Sequence, residues 1–184
     1  MLIRRERTGD AAAIDAVHRS AFAATYASAT GNASATAVHT PVDPPEVALV
    51  RLLREDSAWM PTLSMVVEQH DDVVGHVCLT RAAVGPFPVL SLGPIGVRTD
   101  HQAGGVGSAL MHAVLGAADA LDEPVVGLLG SLGYYPRFGF LPGVRLGITP
   151  DEPEWTSHFQ VRALSAYDPE ITGDFRYAEP FYEL

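Results

Sequence analysis

The stretch from Val89 to Leu121 constrains this chain more than any other part of its sequence. It begins as an apolar strand, passes through the turn Arg98–His101 and the glycine-rich bend Gln102–Gly107, and continues as a long amphipathic helix. The first N–H groups of a helix have no partner within the helix and lie at the positive end of its dipole. Glycine, which has no Cβ, lets a ligand approach the backbone closely. This order of elements predicts a phosphorylated ligand at the start of the helix.

Two common phosphate-binding loops do not fit the bend. A dinucleotide-binding GxGxxG that begins at Gly105 and Gly107 needs a third glycine where the chain has Leu110. A P-loop needs a lysine, and the sequence contains none. The remaining pattern is Q-x-x-G-x-G after a strand that Pro94 interrupts. Because proline cannot donate to a sheet ladder, Pro94 predicts a bulge or an unpaired site in that strand.

Composition excludes several classes of protein. The 184 residues, 47% hydrophobic and 18% charged, suit one globular domain, which we expect to span residues 1–184. A net charge of −10 makes the chain a poor ligand for nucleic acid, whose backbone needs a basic surface. No apolar run approaches the ~20 residues that span a bilayer, so we expect no membrane segment.

The cysteine and histidine content argues against two further kinds of site. The single cysteine, Cys78, excludes an internal disulfide framework and a multi-cysteine zinc site. The seven histidines show no spacing typical of metal ligands, so we predict no metal. The N-terminus becomes polar at once, with no apolar signal region after its arginines. We therefore expect a cytoplasmic protein.

Hydrophobic periodicity predicts one α/β domain on a mixed sheet. The predicted helices cover residues 10–27, 45–56 and 105–121, with a short helical turn at 133–138. The predicted strands cover residues 2–6, 63–68, 73–80, 89–97, 124–130, 140–146 and 158–164. Residues 28–45 are predicted to form a long loop, and the tail 173–184 is too rich in aromatic residues to be an idle terminus.

Three motifs occur in order around the glycine-rich bend. Gln102-x-x-Gly105-x-Gly107 follows the strand segment Ile95-Gly96-Val97, and the segment Tyr134–Phe140 (YYPRFGF) follows the next strand. On these motifs the chain resembles the GNAT superfamily of acyl-CoA-dependent N-acyltransferases, whose loop reads Q/R-x-x-G-x-G/A and whose later motif reads Y-x-x-x-G-F. The form GYYPRFGF resembles a bacterial branch of that superfamily. The β/α order agrees along nearly the whole chain, although the motifs themselves lie between about residues 90 and 140.

The resemblance implies a fold and a donor. The implied architecture is an α/β GNAT fold with a mixed central sheet of about six to seven strands, splayed between the fourth and fifth strands and flanked by about four helices. The implied donor is acetyl-CoA, with its diphosphate on the loop and its pantetheine arm along the preceding strand. The cofactor-binding residues implied are Ile95, Gly96, Val97, Gln102, Ala103, Gly104, Gly105, Val106, Gly107 and Ser108.

The loop departs from the family pattern at Gly104, a position that is commonly Arg or Lys in the superfamily. The nearby cations are Arg98, His101 and Arg137. We therefore expect backbone N–H groups to provide most of the phosphate binding.

Tyr135 is the predicted catalytic residue. It lies four residues before Gly139, where the resemblance places the general-acid tyrosine of the family. A phenol with a pKa near 10 is a suitable proton donor to a leaving thiolate. Tyr134 is predicted to be a packing residue.

The sequence does not identify the general base. Some members of the family have a glutamate at the position of Ser91, and serine cannot replace it as a base. Glu68, His76 and Cys78 lie on neighbouring predicted strands. A lone histidine on a strand is more often structural, and Cys78 is most simply a small buried residue.

The acceptor is also left open. The loop 28–45 and the acidic loop with Asp151, Glu152, Glu154 and Trp155 are candidate walls of its site. The sequence favours an N-acetyltransferase that acts on a small primary amine in a ternary complex. A protein or peptide N-terminus is the alternative acceptor, and a non-catalytic acyl-CoA-binding protein is the alternative function. The oligomeric state is open, with a homodimer as one option.

Overall fold

A computed structural model describes residues 1–29 and 43–183 of the chain. Most of the predicted loop 28–45 therefore lies outside the described residues. The elements in chain order are β1 (Leu2–Arg5), α1 (Ala11–Ala29), α2 (Pro45–Glu55), β2 (Trp59–Gln69), β3 (Asp72–Val84), β4 (Phe87–Val97), α3 (Val106–Asp119), β5 (Val125–Leu129), β6 (Leu141–Pro142), β7 (Ile148–Pro150), β8 (Phe159–Ala163) and β9 (Gly173–Arg176).

These strands form one mixed sheet in the order β1-β2-β3-β4-β5-β8-β6. The neighbours along this order are antiparallel except β4 and β5, which run parallel. β9 pairs with the end of β3 and carries β7 as its parallel neighbour. The prediction of one α/β layer structure on a mixed sheet is confirmed, with three α-helices within the described residues.

The C-terminal part of the chain differs from the prediction in detail. The strand predicted at 140–146 is wrong beyond residue 142, because residues 143–146 form a 3-10 turn. Gly147 follows with a φ of +68°, a left-handed conformation that turns the chain instead of extending it. The strands β7 and β9 were not predicted, since elements of three and four residues are too short to show alternation.

The two parallel strands β4 and β5 separate partway along their length. Their register includes only the pairs Leu90 with Val126 and Ser91 with Gly127. β4 nevertheless continues to Val97. The edge of β4 beyond Ser91 therefore faces a gap rather than a neighbouring strand, as the splay between the fourth and fifth strands predicted.

A bulge lies in β4 directly after this point. Val77 of β3 pairs with Ile95, and Leu79 pairs with Leu92, so three steps on β4 match two on β3. The extra residue falls at Gly93 and Pro94, which confirms the bulge predicted from the proline. The thiol of Cys78 donates a hydrogen bond to the carbonyl of Gly93, with 3.1 Å between sulfur and oxygen.

Helices pack on both faces of the sheet and leave β4 between them. α3 buries Leu110, Met111 and Val114 against residues of β2 and β3 on one face. α1 and α2 bury Ile14 and Val50 on the other face. Each fully buried side chain of this kind contributes about 1.5–3 kcal/mol relative to exposure. These contacts fix the starts of α2 and α3 at opposite sides of the splayed strand.

Candidate functional site

A cavity of about 520 Å³ lies beside the free part of β4, at the start of α3. The predicted cofactor-binding residues line it, except Gly104 and Val106. Gly104 is exposed on the loop, and the Val106 side chain is 3% exposed and packs in the core. The cavity therefore gathers the strand segment, the glycine loop and the tyrosine motif that the sequence linked. The lining residues are Ala21, Phe22, Ile95, Gly96, Val97, His101, Gln102, Ala103, Gly105, Gly107, Ser108, Tyr134, Tyr135 and Arg137.

The loop before α3 is held in a tight, left-handed conformation. Ala103 has a φ of +60° and Gly105, the N-cap of α3, a φ of +84°. The side-chain amide of Gln102 donates to the carbonyl of Val97 across 3.0 Å and ties the loop to the end of β4. The helix therefore begins at Val106 with its first N–H groups beside the cavity, where they lack partners within the helix.

Close packing explains why residue 107 is a glycine. A Cβ at Gly107 would lie 2.9 Å from the hydroxyl oxygen of Tyr134. Tyr134 also packs edge-on against Phe138, with 5.3 Å between ring centroids. Tyr134 thus has the packing role predicted for it, and in addition it lines the cavity.

Two of the three predicted cations line this cavity. His101 and Arg137 do so, whereas Arg98 forms an ion pair with Asp100 across 2.8 Å and is not a lining residue. The guanidinium of Arg137 lies 4.9 Å from the centroid of the Tyr134 ring and donates to the Tyr134 carbonyl across 2.9 Å. The Arg137 guanidinium and the His101 imidazole thus border a chamber that also offers backbone N–H donors.

Tyr135 lies where the first cavity meets a second one. Burial raises the pKa of Tyr135 to about 12. The ring packs against Phe140, with 5.9 Å between centroids. The hydroxyl makes no hydrogen bond to another described residue, so it remains available to a ligand.

The second cavity has a volume of about 330 Å³ and lies on the α2 side of β4. It shares Phe22, Ile95 and Tyr135 with the first cavity. Its other walls include Glu46 and Leu49 of α2, with Tyr177 and Phe181 of the C-terminal tail. The two chambers therefore meet at the free edge of β4.

Ser91 and the three side chains on neighbouring strands that were considered as a base all lie outside both cavities. Ser91 is fully buried where β4 still pairs with β5, and its hydroxyl is 2.8 Å from that of Thr80. Glu68 forms an ion pair with Arg4 across 2.8 Å. Cys78 is fully buried, and burial raises the pKa of its thiol.

His76, the fourth of these side chains, is fully buried in a hydrogen-bonded network. Its Nε2 atom lies 3.0 Å from the Ser64 hydroxyl, and its Nδ1 atom lies 2.8 Å from Nε2 of His18. Burial lowers the pKa of the His76 imidazole, although its contact with Glu6 opposes this shift. His76 is thus a satisfied interior histidine, as the sequence analysis favoured.

The acidic loop also lies apart from the second cavity and packs against the C-terminal tail. Asp151 accepts a hydrogen bond from the Tyr182 hydroxyl across 2.7 Å. Trp155 stacks on the Tyr182 ring, with 5.5 Å between centroids. Among the described residues, the carboxylate that lines the cavity is Glu46 instead.

Sequence reasoning missed Glu46 because its local context has an ordinary explanation. An acid that follows prolines at the start of a helix indicates a favourable charge–dipole contact. The only further signal was its place beside the long loop 28–45, which the sequence analysis considered as a wall.

Two other kinds of site receive no support from the described residues. The described residues contain no group of three His, Cys, Asp or Glu side chains that could hold a metal ion. None of the helices they form is both long and apolar enough to cross a membrane.

Comparison with known proteins gives consistent results. Residues 33–140 match the family model described as the Acetyltransferase (GNAT) family. The curated Escherichia coli (strain K12) protein named Uncharacterized N-acetyltransferase YjhQ is 31% identical over 143 residues, which cover 73% of this chain and 79% of YjhQ.

Two solved structures resemble this chain in fold over almost its entire length. The GNAT family N-acetyltransferase YhbS from Escherichia coli, solved in complex with CoA, has a TM-score of 0.81 and 27% identity. The similarity covers 98% of this chain and 91% of YhbS. A GNAT family acetyltransferase from Brucella melitensis, in complex with acetyl-CoA, has a TM-score of 0.72 and 30% identity, covering 98% of this chain and 97% of its own.

Proposed function

Because the chain belongs to the acetyltransferase (GNAT) family, a family of acyltransferases, we propose that it transfers the acetyl group of acetyl-CoA to a primary amine of a small molecule. The amine attacks the thioester directly while both substrates are bound, within the single domain 1–184. The observation that carries this proposal is the pair of cavities that meet at Ile95 and Tyr135. One cavity has a phosphate-binding end, and the other has room for a second substrate.

The first cavity is the proposed donor site. The N–H groups of residues 102–108, in the loop and the first turn of α3, bind the diphosphate of CoA, helped by the positive helix end and by His101 and Arg137. The pantetheine arm lies along the edge of β4 that β5 leaves free, where the backbones of Ile95 and Val97 pair with its amides. The CoA complex of YhbS and the acetyl-CoA complex of the Brucella melitensis protein support this assignment.

The reaction requires a neutral amine and a stabilised leaving group. An alkylamine with a pKa near 10.4 is mostly protonated at pH 7, and its deprotonation costs roughly 4–5 kcal/mol at ~1.36 kcal/mol per pKa unit. The nitrogen lone pair then forms the C–N bond as the C–S bond breaks. Negative charge develops on the sulfur atom, which we place beside the Tyr135 hydroxyl.

The pKa of Tyr135 decides how that hydroxyl acts. A thiol has an ordinary pKa of about 8.5, so complete proton transfer from a phenol of pKa about 12 is uphill by about 5 kcal/mol. A hydrogen bond from the phenol to the developing thiolate has no such cost. We therefore assign Tyr135 as the donor of that hydrogen bond. The departing thiolate takes its proton from the newly acylated nitrogen.

Calorimetry with acetyl-CoA followed by a thiol-release assay over a panel of amines tests the proposal. We expect saturable binding of acetyl-CoA and amine-dependent release of CoA thiol. Binding of acetyl-CoA without thiol release on any amine or peptide would favour the non-catalytic alternative. Failure to bind acetyl-CoA would overturn the donor site itself.

A further inference from the structure

The second cavity contains a carboxylate whose bonding is incomplete. The Oε2 atom of Glu46 is buried and has no hydrogen-bond partner among the described residues. The carboxylate does contact its own backbone N–H, which is the ordinary role of an acid in the first turn of a helix. That role leaves the second oxygen unsatisfied. A buried acceptor without a donor is costly, so its presence in a cavity suggests a ligand that supplies the donor.

The charge of the cavity is as informative as its shape. Glu46 is the only acidic side chain among the described residues that line it, and no arginine or histidine is among them. The sequence contains no lysine. Burial raises the pKa of the Glu46 carboxyl, although its backbone contact opposes this shift. A cationic ligand would satisfy this group, whereas an anionic ligand would find no positive partner among the described lining residues.

The remaining walls are largely apolar. Leu49, Leu92 and Phe181 lie beside the aromatic rings of Phe22 and Tyr177. A volume of about 330 Å³ is at the lower end of the range for small-molecule sites. The amide groups of a peptide would need several hydrogen bonds from such walls, whereas an alkyl or aryl group needs none.

We propose that this cavity binds the acyl acceptor, that the acceptor is a compact primary amine with an apolar body and no carboxylate, and that Glu46 binds its ammonium group. The inference rests on the proposed function, since it takes the thioester to lie beside Ile95 and Tyr135, where the two cavities meet. An amine held by Glu46 enters from the α2 side as its ammonium, loses one proton to bulk water to become the neutral nucleophile, and then faces the donor across β4.

The test compares three amines that share one ring: phenethylamine, phenylalanine, which adds a carboxylate, and a tripeptide that begins with phenylalanine. Benzylamine and hexylamine extend the set of apolar amines. We expect at least one apolar amine to have a kcat/KM at least about tenfold above that of phenylalanine and the tripeptide. Equal or better turnover of phenylalanine or of the tripeptide would overturn the inference.

A matched pair of variants separates the role of Glu46 from the rest of the enzyme. Glu46→Gln preserves shape and removes the charge, while Glu55→Gln makes the same change at an exposed position on the same helix. We expect Glu46→Gln to raise the KM for the best apolar amine at least about tenfold, with acetyl-CoA affinity unchanged, and Glu55→Gln to leave both values unchanged. A KM that Glu46→Gln does not alter contradicts this inference while leaving the proposed function intact. If the wild-type protein turns over none of the amines, that result contradicts the proposed function instead.

Discussion

The Nε2 atom of His18 lies 2.8 Å from the Nδ1 atom of His76 in the interior of the protein, and both side chains are fully buried. The network continues through the Ser64 hydroxyl to the carboxylate of Glu6, which forms an ion pair with Arg54 across 2.7 Å. At its other end, Nδ1 of His18 is buried without a hydrogen-bond partner among the described residues. The two histidines therefore link α1 to strand β3 of the sheet.

This pair predicts a loss of stability in mild acid. Burial lowers the pKa of both His18 and His76, so both are neutral in the folded protein at pH 7. Their folded pKa values lie below the unfolded value of about 6.5, so the contribution to stability is complete above pH ~6.5 and is lost as the pH falls below it. We expect the free energy of unfolding in urea to fall by up to about 1.4 kcal/mol per pH unit for each histidine.

The measurement is a series of urea titrations between pH 7.5 and pH 5. The nearby His76 ring, the hydrogen bond from Ser64 and the charge of Arg54 outweigh burial and lower the pKa of Glu6 to about 2, so Glu6 remains ionised throughout this window. His18→Gln keeps a hydrogen-bonding side chain and removes one titration, so its slope should be shallower than that of the wild type. His70→Gln, at an exposed turn, should keep the wild-type slope. Identical slopes for wild type and His18→Gln would contradict the prediction.

Gly96→Ala tests how tightly His18 packs against β4. A Cβ at residue 96 would lie 2.9 Å from Nδ1 of His18 and 3.4 Å from Cβ of Ala21. Because His76 holds the His18 ring, we expect the change to lower the free energy of unfolding by about 1–3 kcal/mol, measured in urea. Gly116→Ala on α3 is the control, since nothing lies within 4 Å of its Cβ position, and it should raise stability by about 0.5–1 kcal/mol. A Gly96→Ala variant as stable as wild type would show that His18 moves freely.

The features that line the proposed donor site could be recognised in the sequence because their signals are local. The bend 102–107 and the segment Tyr134–Phe140 each lie within a few residues, and Pro94 indicated the bulge by chemistry alone. Such features depend on backbone conformation, which neighbouring residues largely decide. Their assembly into one cavity then follows from the order of strands and helices.

The second cavity could not be predicted in the same way. Glu46 comes from α2, Tyr177 from the tail and Leu92 from β4, and only the folded sheet brings them together. The aromatic tail was recognised as unusual, but its contacts with α2 and β4 depend on β9 pairing with β3, which no local pattern indicated. The alternation that reveals a strand needs more residues than β9 has.

Gly105→Glu tests the proposed phosphate site with a closely matched control. Gly105 has a φ of +84° and Gly85, in the turn between β3 and β4, a φ of +55°, and nothing lies within 4 Å of either Cβ position. Glutamate at either site therefore has room and incurs a similar backbone strain, of about 1–2 kcal/mol. Only at residue 105 does the added charge meet the proposed diphosphate, where like charges 4 Å apart repel by up to about 4 kcal/mol.

We expect Gly105→Glu to weaken acetyl-CoA binding at least about a hundredfold in calorimetry, and Gly85→Glu to leave it unchanged. Circular dichroism of both variants should match the wild type. Equal affinity of the two variants for acetyl-CoA would refute the loop as the phosphate site.

Tyr135→Phe tests whether the phenol acts on the leaving group. A hydrogen bond to a charged group is worth about 1.5–3 kcal/mol, so its removal should lower kcat about 10- to 100-fold while acetyl-CoA affinity stays near the wild-type value. Tyr134→Phe is the comparison, because its hydroxyl packs against Gly107 of the glycine-rich loop. We expect that variant to affect acetyl-CoA affinity rather than kcat. Steady-state kinetics with the best amine and calorimetry with acetyl-CoA separate the two effects. A full kcat in Tyr135→Phe would return Tyr135 to a packing role, because its ring contacts with Phe140 do not depend on the hydroxyl.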